Sequence, residues 1–177
     1  MFIRQFESTR KSKFIDSLMI KVLFVCLGNI CRSPLAEAIM NHKVKERKLD
    51  HLIQSDSCGT SNYHIGKAPD HRSISCAQGR GLLTDHAGRQ ISPADIDEFD
   101  YLIVMDQSNL KNVRNLMEQS GQNHPHLYLM REFQPNAAHT DVPDPYFGDA
   151  SGFEEVYDIL DEAIDHLIDK IRQDHQL

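Results

Sequence analysis

Short apolar runs alternate along the chain with longer stretches in which apolar and polar residues mix. The two clearest runs are KVLFVC at residues 21–26, apolar after its lysine, and YLIVM at residues 101–105. Runs of this kind are typical of strands buried on both faces of a parallel sheet. Weaker runs at residues 53–57 and 127–129 predict two further strands. The pattern therefore indicates a four-stranded sheet.

The stretch after the first strand predicts a helix with clear start signals. Ser33 can act as an N-cap, Pro34 fits the first turn, and Glu37 favours the positive end of the helix dipole. The helical pattern ends in the basic stretch near Lys48. We therefore predict that the first strand leads into this helix through a short loop.

Helical sequence also follows the later strands. It resumes at Asp70, after a long loop rich in Gly, Asn and Pro. A second start signal, SPADID, begins at Ser92 and places Pro93 at the first helical position. Residues 108–117 predict a helix directly after the third strand. Helices thus separate the predicted strands.

The end of the chain predicts a long closing helix. Ser151 and Glu154 form a candidate capping box, and apolar residues recur at helical spacing as far as Ile171. Strands that alternate with helices imply right-handed crossovers and a parallel sheet. We therefore predict a single α/β domain at 21–177, with a mostly four-stranded parallel sheet covered by helices on both faces. A peripheral N-terminal extension is predicted at residues 1–20.

The composition is that of a globular domain with an acidic balance. The 177 residues are 40% hydrophobic and 25% charged, and 19 basic against 26 acidic residues give a formal net charge of −7. This balance argues against a broad nucleic-acid-binding face, so an anionic substrate must be captured by local groups. No apolar run is long enough to cross a membrane as a helix.

The cysteines and the N-terminal segment bear on the cellular compartment. The spacing of the cysteines fits neither a zinc site nor a disulfide-rich scaffold, which favours a reducing compartment. Residues 1–20 lack the continuous apolar core of a signal peptide, and Met19 is an alternative candidate start. We therefore expect a cytoplasmic protein. The four cysteines are Cys26, Cys31, Cys58 and Cys76.

The loop between the first strand and the first helix carries the chemistry. Cys26 ends the strand, Arg32 follows six positions later, and Gly28 and Asn29 between them tolerate unusual backbone angles. Inward-facing amides near a helix N-terminus form an anion cradle, which also favours the thiolate form of a cysteine there. An arginine can grip two phosphate oxygens at once. Together these groups predict attack on phosphorus and a phosphocysteine intermediate.

The sequence resembles the low-molecular-weight protein tyrosine phosphatases over most of residues 21–170. A bare C-x5-R alone is a modest signal, because other phosphatase folds share it. Three later segments agree with the family in the same order. The matching segments are CLGNICRSP at 26–34, DSCGTSNYHIGKAPDHRS at 56–73, FDYLIVMDQSN at 99–109 and DVPDPYFG at 141–148.

The resemblance implies a role for each matching residue. Cys26 matches the nucleophile and Arg32 the phosphate-gripping arginine, while Asn29 matches the residue that holds the loop in its strained shape. Ser33 matches the hydroxyl that steadies the thiolate, and Asp144 the general acid. A carboxyl at position 144 also suits the chemistry, since a tyrosyl leaving group with a pKa of about 10 needs a proton.

Further positions complete the implied site. The backbone and side chains of the loop would hold the phosphate, two tyrosines would line the mouth of the cleft, and two polar residues would support the loop. The loop residues are Leu27, Gly28, Asn29, Ile30, Cys31 and Ser33; the tyrosines are Tyr63 and Tyr146; the supporting residues are Ser57 and His86.

The partners implied are those of a cofactor-free phosphatase. We expect a phosphotyrosine-containing protein as substrate, with a bacterial tyrosine kinase or a small phosphomonoester as candidates, and phosphate or sulfate as ions that can occupy the loop. No nucleic acid or membrane partner is expected, and the chain should be a monomer or a weak dimer. His64, His71 and His86 lack partners at ligand spacing, so we predict no metal.

Four alternatives are weighed against this function. Arsenate reduction needs a late cysteine relay, and the last cysteine is Cys76. Relatives that act on phosphoarginine tend to carry threonine where this chain has Ile30. A phosphotyrosine-binding module would have lost Cys26 or Asp144, and a phosphate-carrier cysteine domain would not retain Arg32. Each alternative is therefore less favoured than phosphotyrosine hydrolysis.

Cys31 supports a separate hypothesis about oxidation. A second thiol inside the loop can form a disulfide with Cys26 and shield it from irreversible damage. A simple packing role for Cys31 is the competing interpretation.

Overall fold

The computed structural model describes residues 19–177; residues 1–18, which make up most of the predicted extension, lie outside the described residues. Four parallel strands form one sheet in the order β2-β1-β3-β4. The strands are β1 at Ile20–Cys26, β2 at Ile53–Gly59, β3 at Tyr101–Val104 and β4 at Leu127–Leu129. The predicted parallel α/β sheet is confirmed, and β1 begins one residue earlier than predicted.

Five helices connect and cover these strands in the described part of the chain. The connection from β4 continues into a 3-10 helix at Met130–Phe133. None of the helices in residues 19–177 combines the length and the apolar character required to span a lipid bilayer. The helices are α1 at Arg32–Glu46, α2 at His71–Gln78, α3 at Pro93–Glu98, α4 at Gln107–Ser120 and α5 at Ala150–His175.

The sheet separates two hydrophobic cores because successive side chains of a strand point to opposite faces. Along β1, Val22 and Phe24 pack with apolar residues of α1, α2 and α5, whereas Leu23 and Val25 pack with those of α3 and α4. All four side chains are completely buried. Helices therefore cover both faces of the sheet, as the uninterrupted apolar runs predict.

The start of α1 differs from the sequence prediction. The residue at the N-cap position is Cys31, and no side chain caps the helix there. Ser33 lies inside the first turn, and its Oγ contacts Cys26 Sγ instead of a free backbone amide. The prediction of Ser33 as N-cap is therefore wrong. A serine followed by proline fits the N-cap position as well as the first turn of a helix, and the sequence does not distinguish the two.

The start of α5 also differs by two residues. Asp149 is the N-cap, and its carboxylate accepts a hydrogen bond from the Ser151 N–H at 2.9 Å. Glu154 pairs with Arg80. The predicted capping box of Ser151 with Glu154 is therefore wrong, since an aspartate two residues earlier caps the helix.

The sheet topology fixes the location of the site. β1 lies in the middle of the sheet, with β2 on one side and β3 on the other. In open parallel sheets, ligands bind outside the carboxyl ends of the strands where the chain order reverses, which here is the gap between β1 and β3. Cys26 ends β1 and Asp106 follows β3 by two residues.

Candidate active site

Residues 26–32, called the phosphate loop below, hold Cys26 in a polar environment. The Cys26 side chain is buried, and its Sγ accepts a hydrogen bond from the Asn29 N–H at 3.2 Å. Ser33 Oγ lies 3.0 Å from the same sulfur. Two groups that can donate hydrogen bonds therefore lie against the Cys26 sulfur.

Asn29 fixes the shape of the phosphate loop. Its φ of 56° places it in the left-handed region, which asparagine tolerates better than most residues. Gly28 does not adopt a left-handed conformation, so only one of the two expected positions carries the unusual angle. The completely buried Asn29 side chain makes four hydrogen bonds, to Ser33 Oγ, Ser57 Oγ, His86 Nε2 and Arg89 N, all between 2.8 and 3.0 Å.

These bonds determine which atoms donate. The backbone N–H of Arg89 must donate, so the amide atom that it contacts is the Asn29 oxygen, Oδ1. His86 Nε2 therefore donates to the same oxygen. Asn29 Nδ2 in turn donates to Ser33 Oγ and leaves the Ser33 hydroxyl hydrogen for Cys26 Sγ or for the Cys58 carbonyl at 3.2 Å. A proton donor consequently lies beside the sulfur.

Glu37 supports the loop from behind, which the sequence did not indicate. Its Oε2 accepts a hydrogen bond from Ser57 Oγ at 2.7 Å and lies 3.1 Å from His86 Nδ1. The sequence predicts only that Glu37 interacts favourably with the positive end of the helix dipole. Ser57 and His86 both contact the Asn29 side chain, and the supporting role expected of them stays a prediction.

The end of β2 also supports the loop through backbone contacts. Thr60 N–H donates to the Cys26 carbonyl and Ser61 N–H to the Leu27 carbonyl, both at 2.9 Å. A Cβ at Gly59 would lie 2.7 Å from the Leu27 oxygen, a distance that carbon atoms do not tolerate. Glycine at position 59 therefore permits the close approach that holds the loop.

Arg32 lies at the junction of two acidic residues. Its side chain is almost completely buried, with Nη1 2.7 Å from Asp106 Oδ2 and Nη2 2.9 Å from Asp144 Oδ2. The Val142 carbonyl accepts a further hydrogen bond from Nη1 at 3.1 Å. Burial opposes the charge of Arg32, but Cys26, Asp144 and Asp106 outweigh it and raise the pKa of the guanidinium.

Asp106 is a site residue that the sequence analysis missed. In the sequence it simply follows the apolar run at residues 101–105, and no role was predicted for it. Its carboxylate also accepts a hydrogen bond from the Asn109 N–H at 2.7 Å and so caps α4. The available signal was its position, because a carboxylate just after a central parallel strand faces the same edge as Cys26.

Asp144 reaches the phosphate loop from residues 142–148, called the acid loop below. Val142 N–H donates to the Met105 carbonyl at 2.8 Å and ties the loop to the end of β3. Asp144 is the more exposed member of its pair with Arg32, with 40% of its side chain accessible to solvent. Its Oδ1 accepts a hydrogen bond from the Tyr146 N–H at 3.2 Å. The carboxyl therefore faces both solvent and the loop.

One cavity of about 180 Å³ brings these groups together. Two of its aromatic side chains project strongly from the surface, with Tyr63 69% and Phe147 94% exposed, while Tyr146 is 40% exposed. His64 and Phe147 belong to this lining and were not predicted. The cavity is lined by Cys26, Leu27, Gly28, Ile30, Cys31, Arg32, Tyr63, His64, Asp144, Tyr146 and Phe147.

Cys31 lies in the same cavity but in a different state from Cys26. Its side chain is buried, and burial followed by the nearby charge of Asp70 raises the pKa of the thiol to about 12. Cys31 is therefore a protonated thiol at neutral pH. The structure agrees with a packing role and leaves the disulfide hypothesis as a prediction.

Three potential metal ligands approach one another behind the loop. One ligand atom each from Glu37, Asp56 and His86 lies within 4.8 Å of the others. Each of these atoms already has a protein partner, since Asp56 pairs with Arg89 at 2.8 Å and His86 with Glu37. Protein hydrogen bonds thus account for this cluster, and the expected absence of a metal stays a prediction.

Comparison with known proteins gives one consistent result. Residues 21–177 match the family model described as low molecular weight phosphotyrosine protein phosphatase. The protein of that name from Saccharomyces cerevisiae is 40% identical over 141 residues, which cover 79% of this chain and 88% of the yeast protein.

Two solved structures are similar in fold as well as in sequence. The crystal structure of YfkJ from Bacillus subtilis has 36% identity and a TM-score of 0.82, covering 88% of this chain and 96% of YfkJ. A Drosophila arginine phosphatase has 33% identity and the same TM-score, covering 86% of this chain and 98% of its own.

Proposed function

Because the chain belongs to the low-molecular-weight phosphotyrosine protein phosphatase family, we propose that it hydrolyses phosphotyrosine through a phosphocysteine intermediate. The observation that carries this proposal is the shared cavity of Cys26, Arg32 and Asp144. A nucleophile, a cationic phosphate grip and a proton donor are the three groups that the reaction requires.

The first step forms the bond between sulfur and phosphorus. The Cys26 thiolate attacks phosphorus while the bond from phosphorus to the tyrosyl oxygen breaks. Loop amides and the Arg32 guanidinium hold the other phosphate oxygens, on which negative charge accumulates. Arg32 keeps its contact with Asp106 and turns its Nη2 edge, which Asp144 otherwise occupies, towards phosphate, so that phosphate takes the place of Asp144 there.

Asp144 provides the proton for the leaving group. The departing tyrosyl oxygen takes a proton from the protonated Asp144 carboxyl, because the phenolate of a group with a pKa of about 10 leaves poorly at neutral pH. The partial exposure of Asp144 lets it exchange that proton with solvent.

The second step reverses these roles. Asp144, now a carboxylate, takes a proton from a water molecule as the water oxygen attacks phosphorus. The sulfur–phosphorus bond breaks and returns the electron pair to Cys26. The hydroxyl of Ser33, 3.0 Å from the sulfur, and the Asn29 N–H stabilise the thiolate that leaves.

The cavity favours an aromatic over a guanidinium substrate. Tyr63, Tyr146 and Phe147 offer aromatic surface that can pack against a phenyl ring. Ile30 lines the cavity with an aliphatic side chain that cannot accept hydrogen bonds from a guanidinium. A phosphotyrosine-containing protein is therefore the proposed substrate.

Hydrolysis of p-nitrophenyl phosphate and of a phosphotyrosyl peptide tests the mechanism. Cys26→Ser should abolish turnover, and the wild type quenched in acid should carry one phosphate on Cys26. Turnover that survives in Cys26→Ser would exclude the phosphocysteine route. Asp144→Asn should lose much more rate on the tyrosyl peptide than on p-nitrophenyl phosphate, whose leaving group is more acidic.

A matched phosphoarginine peptide tests the substrate class. The wild type should prefer the phosphotyrosyl peptide in kcat/KM, and Ile30→Thr should shift the ratio towards phosphoarginine. A wild-type preference for phosphoarginine would contradict the substrate assignment while leaving the phosphocysteine mechanism intact.

A cytoplasmic location is part of the proposal. All four cysteines are buried free thiols, and the reaction needs one of them as a thiolate. Reducing compartments preserve that state.

A further inference from the structure

Arg72 connects the acid loop to the phosphate loop through charge-assisted hydrogen bonds. Its Nη1 donates to the Gly148 carbonyl at 2.7 Å, and its Nη2 donates to the Tyr146 carbonyl at 3.0 Å. Both carbonyls belong to the acid loop, within four residues of Asp144. The guanidinium thus holds the backbone at two points on the carboxyl side of Asp144.

Asp70 orients Arg72 and joins it to the phosphate loop. The Asp70 carboxylate accepts hydrogen bonds from Arg72 Nε at 3.0 Å and Nη2 at 2.9 Å, an arrangement that fixes the plane of the guanidinium. The Asp70 N–H donates to the Ile30 carbonyl at 2.7 Å. A continuous path of hydrogen bonds therefore runs from Ile30 through Asp70 and Arg72 to Tyr146.

The packing of Arg72 adds to its rigidity. Its guanidinium carbon lies 4.7 Å from the centre of the buried Phe153 ring, within the range of a cation–π contact. The side chain is only 22% exposed. Asp70 and Phe153 thus fix the position of the guanidinium independently of its contacts with the acid loop.

Arg72 makes contacts with the acid loop that other side chains do not duplicate. Within residues 19–177, it is the only side chain outside the acid loop that donates hydrogen bonds to residues 145–148. The amino-terminal half of that loop has other contacts, from Met105 to Val142 and from Arg32 to Val142 and Asp144. In the carboxyl-terminal half, Arg72 provides the side-chain hydrogen bonds that come from outside the loop.

The reaction removes the other side-chain tie. A general acid must be protonated, and a protonated Asp144 has no ionic attraction to Arg32, which meanwhile grips the phosphate. Arg72 contacts backbone carbonyls, whose charge does not change during the cycle. We propose that Arg72 is a positioning residue that keeps the Asp144 carboxyl at the leaving group when Arg32 binds phosphate.

This inference rests on the proposed function, so its test measures the leaving-group step separately. We compare Arg72→Leu with the wild type on two substrates. The leaving group of phenyl phosphate must be protonated, whereas that of p-nitrophenyl phosphate is more acidic and depends less on a proton donor. kcat/KM should fall about 10- to 100-fold on phenyl phosphate and at most about threefold on p-nitrophenyl phosphate. Arg72→Lys should fall between, since lysine cannot reproduce the fork.

Arg80→Leu is the matched control. Arg80 lies two residues after the end of α2, whereas Arg72 lies in its first turn. Arg80 also pairs with an acidic residue, and its guanidinium carbon lies 3.9 Å from the centre of the Tyr157 ring. No contact of Arg80 reaches the acid loop. Arg80→Leu should therefore leave the ratio of the two substrates unchanged even where it lowers thermal stability.

Two further measurements separate positioning from general damage. The inhibition constant for inorganic phosphate should stay within about twofold in Arg72→Leu, because the phosphate loop keeps its own contacts. Adding Arg72→Leu to Asp144→Asn should cost no further rate on phenyl phosphate, since the acid is already absent. Equal losses on both substrates, or weaker phosphate binding in parallel with the lost rate, would overturn the proposal.

The controls also separate a failure of the proposed general acid, Asp144, from a failure of the role proposed for Arg72. If Asp144→Asn itself shows no leaving-group dependence, the proposed general acid is wrong. If Asp144→Asn shows it and Arg72→Leu does not, the proposed function stands and only the role of Arg72 is refuted.

Discussion

Replacement of Asn29 tests how much stability and activity depend on one buried side chain. Asn29 accepts or donates four side-chain hydrogen bonds and is completely inaccessible to solvent. A buried hydrogen bond contributes about 1 kcal/mol net, and a donor left unpaired costs about 1–3 kcal/mol. In Asn29→Gly, the Arg89 N–H loses its partner, whereas Ser33 and Ser57 retain others.

The expected loss in unfolding free energy for Asn29→Gly is therefore about 3–5 kcal/mol. Glycine adopts the φ of 56° without strain, so this variant removes the side-chain hydrogen bonds without adding backbone strain. Asn29→Ala should lose about 1 kcal/mol more, because an alanine side chain is strained in the left-handed region. The order wild type, glycine, alanine separates the two contributions.

Urea unfolding and kcat/KM for p-nitrophenyl phosphate provide the readouts. Both variants should lose activity, since Asn29 positions the Ser33 hydroxyl and its own N–H beside the Cys26 sulfur. Wild-type stability in Asn29→Gly would refute the account of the hydrogen-bond network. An alanine variant more stable than the glycine variant would refute the account of backbone strain.

Three other perturbations have definite outcomes. Asp106→Asn and Asp106→Ala should both lower kcat/KM about tenfold, but only alanine should also lose the α4 cap, worth about 1 kcal/mol in urea unfolding; equal stability would contradict this. After peroxide treatment, thiol reductants should restore the activity of the wild type but recover much less of the activity of Cys31→Ser; equal recovery would exclude a protective disulfide. Burial raises the pKa of Cys76 from 9.0 to about 11, so the folded state holds a proton that the unfolded chain has lost, and stability should fall as pH rises across that window. Cys76→Ala should reduce this alkaline loss, and an unchanged slope would argue against it.

The elements that could be predicted from sequence are those whose signal is local. β3 and the part of β1 after Lys21 are apolar throughout because helices cover both of their faces, and short apolar runs of this kind are typical of buried parallel strands. Residues 127–129 gave a weaker signal, and β4 there is correspondingly short and half-buried.

The helix starts show where a local signal is ambiguous. Ser33 and Ser151 both have the composition of an N-cap, but each lies inside its helix. Ser33 contacts the sulfur of Cys26, and Asp149 caps the helix ahead of Ser151. A cap depends on the backbone angles of one residue, and neighbouring polar residues compete for that position within a turn.

Asp106 and Glu37 could not be assigned from sequence because their roles are tertiary. Asp106 lies 74 positions from Arg32, and Glu37 contacts Ser57 and His86, which come from a strand and a distant loop. An acidic residue at the edge of a strand or near the start of a helix has a sufficient local explanation. Only the sheet order shows that these carboxylates converge on the phosphate loop.

The ion pair between Arg32 and Asp144 leads to a prediction that runs against the usual effect of removing a site residue. Phosphate must compete with the Asp144 carboxylate for Arg32, whose Nη2 is 2.9 Å from it. Phosphate must also approach that negative charge. Asp144→Asn should therefore bind inorganic phosphate more tightly than the wild type.

The magnitude follows from the exposure of the pair. Arg32 is buried but Asp144 is 40% exposed, so solvent screens the pair. A screened pair is worth up to about 1 kcal/mol, which corresponds to a tightening of about threefold to fivefold in the phosphate dissociation constant. Titration calorimetry at neutral pH measures it directly. Asp141→Asn is the control, since Asp141 lies beside the acid loop and accepts from the Gln107 N–H instead of Arg32. Weaker phosphate binding in Asp144→Asn, or equal tightening in both variants, would show that Asp144 and phosphate do not compete for Arg32. The proposed mechanism requires Arg32 to exchange Asp144 for phosphate, so that part of it would then be refuted.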